Sequence, residues 1–170
     1  MDLRPMIASD AETLGSWVTD PDFCAGAGWT RRSVDDAIAW WREAIATPDP
    51  DLIRLTAVRG QEPVGYVDLH GDAPGVRELG FLIGPSARWR QGLGRAAAHA
   101  GLAYGFDVLA LSRIWAEAME ANTASVRILQ RIGMREAGAG SEAAFLGATS
   151  RFSRFSLTRD EWSSVPRPAG

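Results

Sequence analysis

Glu78-Leu79-Gly80-Phe81-Leu82-Ile83-Gly84-Pro85 runs straight on into Ser86-Ala87-Arg88-Trp89-Arg90-Gln91-Gly92-Leu93-Gly94-Arg95. Val76 to Ile83 reads as a strand, stopped by Gly84-Pro85. Arg95 to Leu109 then reads as an alanine-rich helix, with Gly101 and Gly105 marking a side that packs closely against a sheet. Gly92 and Gly94 sit directly before that helix, among Arg88, Arg90 and Arg95. Two residues without Cβ let the main chain approach a ligand, and the first amides of a helix form a ready anion site. Arginines add charge-assisted contacts to phosphate oxygens. An ordinary strand-to-helix turn explains the two glycines equally well.

Two sharper nucleotide signatures fare worse. Gly92, Gly94 and Ala97 fit the dinucleotide pattern G-x-G-x-x-A. That pattern needs its glycines immediately after a strand and an acidic residue closing the next one. Here Pro85 to Gln91 intervene, and Glu117 lies inside the following strand. A phosphate-binding P-loop is excluded, because the chain has no Gly-Lys-Ser/Thr and no lysine at all.

Outward from this stretch the order of elements becomes legible. Leu3 to Ile7 forms a short strand, and Ser9-Asp10 caps a helix carrying Leu14, Trp17 and Val18. Asp20-Pro21-Asp22 breaks it, and Cys24 to Thr30 reads as a loop. Ser33 starts a second helix, with Val34, Ile38, Trp41 and Ile45 on one apolar stripe. Ile53 to Val58 and Val64 to Leu69 form a hairpin around Arg59 to Pro63. Past the glycine loop, Ile114 to Met119 is a strand, and Asn122-Thr123 caps a helix closed by Gly133. Met134 to Ala137 and Arg151 to Leu157 are the last strands. The expected class is α/β with a mixed sheet, not a regularly alternating parallel one. One domain is expected over residues 1–162, with a loose tail at 163–170.

Composition narrows the function. The 170 residues carry a net charge of −3, where a nonspecific nucleic-acid binder would show a basic surplus. Cys24 is the only cysteine, which excludes an intramolecular disulfide and a cysteine metal cluster. No segment has the length of a membrane span, and Met1 to Pro5 lacks a signal peptide's apolar stretch. The expectation is a cytoplasmic protein without nucleic-acid or membrane partners.

Taken in order, several pieces of the chain resemble the GNAT acetyltransferase superfamily and, within it, the RimJ/RimL-like branch. They are Leu3-Arg4-Pro5 with Asp10-Ala11-Glu12, Gly65-Tyr66-Val67, Glu78 to Ile83 and Trp89 to Gly94. Asn122 to Ser125 with Leu129, Gly133 and Met134 follows, and Ser156 to Trp162 closes the match. The resemblance implies a mostly antiparallel sheet splayed at the cofactor site, and acetyl-CoA as co-substrate with no metal. It implies direct attack by a primary amine, of a small molecule or a peptide N-terminus, within a ternary complex. It also allows a homodimer, since dimers are frequent in the superfamily.

Residue by residue, the resemblance places Trp89, Arg90, Gln91, Gly92, Leu93, Gly94 and Arg95 at the cofactor's pyrophosphate. It places Phe81, Leu82 and Ile83 along its pantetheine arm, with Asn122 and Ser125 nearby. Glu78 is the candidate base, and a solvated strand glutamate is its plainer reading. Ser125 is the hydroxyl available to the departing sulfur. Many members carry a tyrosine where this chain has Leu129; leucine cannot supply a proton, so that role is moved or absent. A CoA-binding sensor without turnover is the alternative this substitution permits. Trp29, Trp40 and His70 are candidates for the acceptor pocket, whereas Trp17 and Trp41 fall on core stripes and His99 reads as a packing or surface residue. Asp20, Asp22, Asp35 and Asp36 could lend acidity, but aspartates at helix starts have a structural reason to be there.

Overall fold

A computed structural model describes residues 1–164. In chain order the elements are β1 (Asp2–Pro5), α1 (Asp10–Ser16), α2 (Pro21–Ala27), α3 (Val34–Ala46), β2 (Leu52–Arg59), β3 (Glu62–His70) and β4 (Val76–Ile83). They continue with α4 (Leu93–Ala103), β5 (Arg113–Met119), α5 (Thr123–Arg131), β6 (Arg135–Phe145), β7 (Ala148–Thr158) and α6 (Arg159–Ser163). The seven strands form one sheet in the order β1-β2-β3-β4-β5-β7-β6. Every neighbouring pair is antiparallel except β4 and β5. This is the mixed sheet that the order of elements implied. No helix among the described residues is long and apolar enough to cross a membrane.

The parallel pair is the weak seam. β4 meets β5 only at Val76–Arg113, Arg77–Ile114 and Glu78–Trp115. Beyond Glu78 the two strands part, so the remaining main-chain groups on facing edges find no partner in each other.

Alternation along each strand divides the core in two. Leu79 and Ile83 of β4, Val67 and Leu69 of β3, and Ile114 and Ala116 of β5 pack under α4 and α5. Leu82 and Tyr66 turn to the opposite face, against Trp17, Phe23 and Trp41 from the first helices. Gly101 lets α4 lie on the sheet, since a Cβ there would stand 2.7 Å from Val67 Cγ1. Leu129, on α5, is 1% exposed within the first cluster. Truncating it to alanine would cost about 2–5 kcal/mol through lost contacts and a cavity.

Several local expectations are corrected. The first strand stops at Pro5 rather than Ile7, because the Ile7 amide donates to the Asp10 carboxylate at 2.9 Å. Asp10 also holds Arg4 through both oxygens and the Thr56 hydroxyl at 2.7 Å, all from a buried position. Burial pushes its carboxyl up, but the bonds from Arg4, Ile7 and Thr56 outweigh that, and the net direction is down. Ser9 makes no side-chain cap on α1. Cys24 to Thr30 is not loop throughout. Pro21–Ala27 is a helix with Asp20 accepting from Phe23 N, proline in the first turn and Gly28 left-handed at φ 68° after its end. The last two strands run much further than expected and form an eleven-residue hairpin arm on each side. Of the expected tail, Ser163 ends α6 and residues 165–170 lie outside the described residues.

Candidate functional site

Glu78 stands where the seam opens. On β3 its partner is His70, and on β5 it is Trp115. It is half-buried, on the sheet face that also carries Asp68 and Tyr66. Burial raises its carboxyl above the usual range, and the nearby Glu117 carboxylate adds to that. His70 and Arg154 pull the other way without reversing it. Glu117 is itself tied to Arg154, whose guanidinium lies 6.0 Å from the Trp115 ring centre.

Past Glu78, the antiparallel ladder fixes which main-chain groups face the gap. Gly84 N donates to Val64 O at 3.1 Å, so Leu82, two residues earlier, also turns its amide and carbonyl to β3. Consistently, a Cβ on Gly65 would stand 2.1 Å from Leu82 O. Phe81 and Ile83 therefore present their main-chain groups on the side that β5 has left. The Ile83 carbonyl already accepts from Trp89 Nε1 at 2.8 Å. Among the three β4 residues expected along an extended ligand, Phe81 has both groups open to the gap, Ile83 has its amide, and Leu82 can contribute only its side chain.

The glycine loop closes the far end of the gap. α4 begins after Gly92, which is left-handed at φ 78° and offers no side chain to the helix amides. Arg90 is also left-handed, at φ 62°, a conformation that costs a non-glycine residue about 1 kcal/mol. The amides of Leu93, Gly94 and Arg95 make up the first turn. Gly94 brings loop, strand and α5 together. A Cβ there would meet Ile128 Cδ1 at 3.0 Å, with Ile83 and Phe81 both at 3.9 Å. Arg90 and Arg95 are exposed and form no ion pair among the described residues.

Arg88 does not join them. Its guanidinium turns back to Pro63 O at 2.8 Å and Gly84 O at 3.2 Å and pairs with Glu62, so it braces the β3–β4 end. Trp89 is also a brace, since its ring lies against α2, where a Cβ on Gly26 would come within 2.7 Å of it. Gln91 donates to Ala87 O at 3.1 Å. Asp20 links the same region to α2, capping Phe23 N at 3.0 Å and accepting from Ser86 N at 2.7 Å. Its carboxylate is spent on structure, and Asp36 likewise accepts from the Ser33 hydroxyl at 2.6 Å.

Asn122 caps α5 by accepting from Ser125 N at 3.2 Å. Ser125 thus lies in the first turn of a helix that follows the splayed end of β5. Leu129 is buried in the core.

A second hollow of about 230 Å³ opens between the first helices and the sheet, lined by Trp29, Trp40, Trp41, Tyr66, Arg32 and Arg54 among others. Trp29 and Trp40 are the two tryptophans read as off the core, and both line it; Trp17 and Trp41 are buried at 3% and 2% exposure. Sequence reasoning missed Arg54 and Tyr66 here. Their signal was the alternation of β2 and β3, which puts both on the face opposite the α4 core. Burial, and then the nearby Asp68 carboxylate, push the Tyr66 phenol up to about 12. His70 is exposed at the end of β3, opposite Glu78 and not among the residues lining this hollow. His99 packs against Trp162, ring centres 5.2 Å apart.

A family model described as the acetyltransferase (GNAT) domain matches residues 1–135. The chain belongs to the GNAT acetyltransferase family. Its activity is accordingly acetyl transfer from acetyl-CoA. Solved structures share the fold over nearly their whole length. A GNAT-family acetyltransferase from Bacillus anthracis is 21% identical, covering 93% of this chain and 94% of its own, with a TM-score of 0.74. A spermidine N-acetyltransferase from Vibrio cholerae, solved with CoA and spermine, is 18% identical over 95% and 97%, with a TM-score of 0.78. The aminoglycoside acetyltransferase AAC(6')-Ib, solved with coenzyme A, is 18% identical over 95% and 96%, with a TM-score of 0.76.

Proposed function

We propose that this GNAT acetyltransferase acetylates a primary amine, of a small molecule or a peptide N-terminus, with Glu78 as the base. The observation that carries this is the parting of β4 and β5 immediately after Glu78. It leaves a half-buried carboxylate at the apex of a gap whose other end is the uncapped start of α4.

The residues present suit acetyl-CoA. The α4 amides with Arg90 and Arg95 would hold its phosphates. Phe81 and Ile83 would bind the pantetheine amides as a neighbouring strand does, with Leu82 lining the arm. The Phe81 amide is the donor best placed to polarise the thioester carbonyl. Glu78 would take a proton from the incoming ammonium, directly or through a water, and its raised pKa brings it closer to the working range of a base. With Leu129 buried, the Ser125 hydroxyl is left as the donor to the departing sulfur. A sensor without turnover is the weaker reading for a chain whose family model is an acetyltransferase domain.

Trp89 and the Ser156 to Trp162 segment favour the RimJ/RimL-like branch within the family. We assign residues 1–162 to one catalytic domain, place the protein in the cytoplasm, and leave a homodimer to be read by sedimentation.

Replacing Glu78 by Gln keeps its shape and removes its basicity. Turnover should drop about 10²- to 10³-fold with little change in KM for acetyl-CoA. In the wild type the acid limb of kcat/KM should lie above an ordinary glutamate's, because Glu78 must lose its proton and its pKa is raised. Loss of that limb in the Gln variant supports the assignment. An unchanged limb and rate would remove Glu78 from the mechanism.

A further inference from the structure

Three aromatic rings of the hollow beside the first helices already carry a guanidinium on one side. Arg54 lies 5.2 Å from the Trp41 ring centre and 4.9 Å from that of Tyr66, and Arg32 lies 6.0 Å from that of Trp40. These are the positions an incoming cation would take over aromatic rings. Arg54 is fixed there by Asp68, which accepts from Nε at 2.7 Å and from Nη2 at 2.6 Å. Arg32, by contrast, is exposed at the hollow and makes no ion pair among the described residues. Among the described residues no carboxylate lines the hollow. Asp68 offsets Arg54, so Arg32 gives the hollow its positive charge, and its walls are largely aromatic.

The spacing to the candidate base is set by β3. Tyr66 lines the hollow, and His70, four residues on, pairs with Glu78. Four strand residues span about 13 Å. A free aromatic amino acid is too short to bridge that distance. A dipeptide whose second residue is aromatic is long enough, because two extended residues reach about 7 Å and the side chain adds the rest.

We propose that the hollow selects an acceptor with a flat apolar ring and an anion beside it, the ring among Trp29, Trp41 and Tyr66 and the anion on Arg32. This rests on the acetyl-transfer reading above and narrows it against polycationic amines. Spermine and aminoglycosides, the chemistry of the structurally similar enzymes, would bring positive charge to the Arg32 guanidinium, whereas Arg54 is offset by Asp68.

The test is acetylation by the full chain of Ala-Trp, of the amidated peptide Ala-Trp-Glu, of spermidine and of kanamycin, read as thiol release. The two peptides separate a free small acceptor from a chain N-terminus, since the second carries its anion on a side chain. Ala-Trp or the peptide should exceed spermidine in kcat/KM by about tenfold or more, the worth of one charge-assisted contact. Arg32→Glu should move that ratio towards spermidine by at least a similar factor, and Arg32→Ala should move it part of the way. Faster use of spermidine or kanamycin by the wild type overturns the proposal while leaving acetyl transfer intact. Binding supplies a second readout that needs no turnover: 3-phenylpropionate, which does not fluoresce where tryptophan does, should quench tryptophan fluorescence, and Arg32→Glu should weaken it. If no amine is acetylated but this quenching persists, the pocket stands and the acetyl-transfer reading falls. Absence of both selectivity and quenching overturns the pocket.

Discussion

Two helices start at the edges of the gap and solve the same problem in opposite ways. α5 satisfies its first turn internally, with the Asn122 carboxamide accepting from Ser125 N. α4 starts at Gly92, which has no side chain to offer, beside Arg90 and Arg95, which form no ion pair among the described residues. A helix start with no side-chain cap leaves its first donors to water or to an anionic ligand. On the proposed reading, the contrast separates a helix that shapes the site from one that would bind phosphate with its own backbone.

The sharpest way to break the contrast is to give α4 an acid. Gly92→Asp tolerates the left-handed backbone better than most residues, but puts a negative charge where phosphate would lie. Lost donors and repulsion together should weaken acetyl-CoA binding by about 3 kcal/mol, more than a hundredfold, measured by calorimetry. A loss under threefold would mean that the phosphates sit elsewhere.

Arginines on the same loop sharpen the comparison next. Arg95→Ala should raise Kd for CoA by about tenfold and leave the melting temperature nearly unchanged. Arg88→Ala should do the reverse, lowering the melting temperature by removing the brace to Pro63, Gly84 and Glu62. Identical behaviour of the two variants would contradict the division between binding and bracing.

The smallest effect is expected at α5. Asn122→Ala should cost about 1 kcal/mol of stability in denaturant unfolding, the usual worth of a cap. If CoA affinity falls by as much as it does in Arg95→Ala, Asn122 is also a ligand contact.

How much of this was visible in the sequence depends on how local its causes are. The α3 stripe, the β2–β3 hairpin and the Asn122 cap are set by residues a few positions apart, and all three were legible. The α2 helix was missed although its punctuation was present, namely Asp20, Pro21 and Gly28. Its body, Phe23-Cys24-Ala25-Gly26-Ala27, is too short to show a stripe, and Gly26 weakens its helix propensity. The long β6–β7 arm was missed because Gly138, Ala139, Gly140 and Ala143 carry little strand preference. There the ladder with β7, not the side chains, holds the strand. Arg88 beside Arg90 shows a different limit. Spacing groups the three arginines together, but only the fold reveals that one of them turns inward. Arg54 and Tyr66 lie on separate strands and meet over Trp41 only once the sheet is formed.

The brief seam between β4 and β5 carries a consequence for the life of the protein without its substrate. A sheet that parts after three residue pairs has interior rims as well as outer ones, and rims recruit strands from other molecules. A pantetheine arm lying in the gap would seal those rims as an eighth strand. Acetyl-CoA would then be a folding partner as well as a reactant, worth about 2.7 kcal/mol at a hundredfold excess over its Kd. Its scarcity would threaten the enzyme's solubility before it limited the reaction.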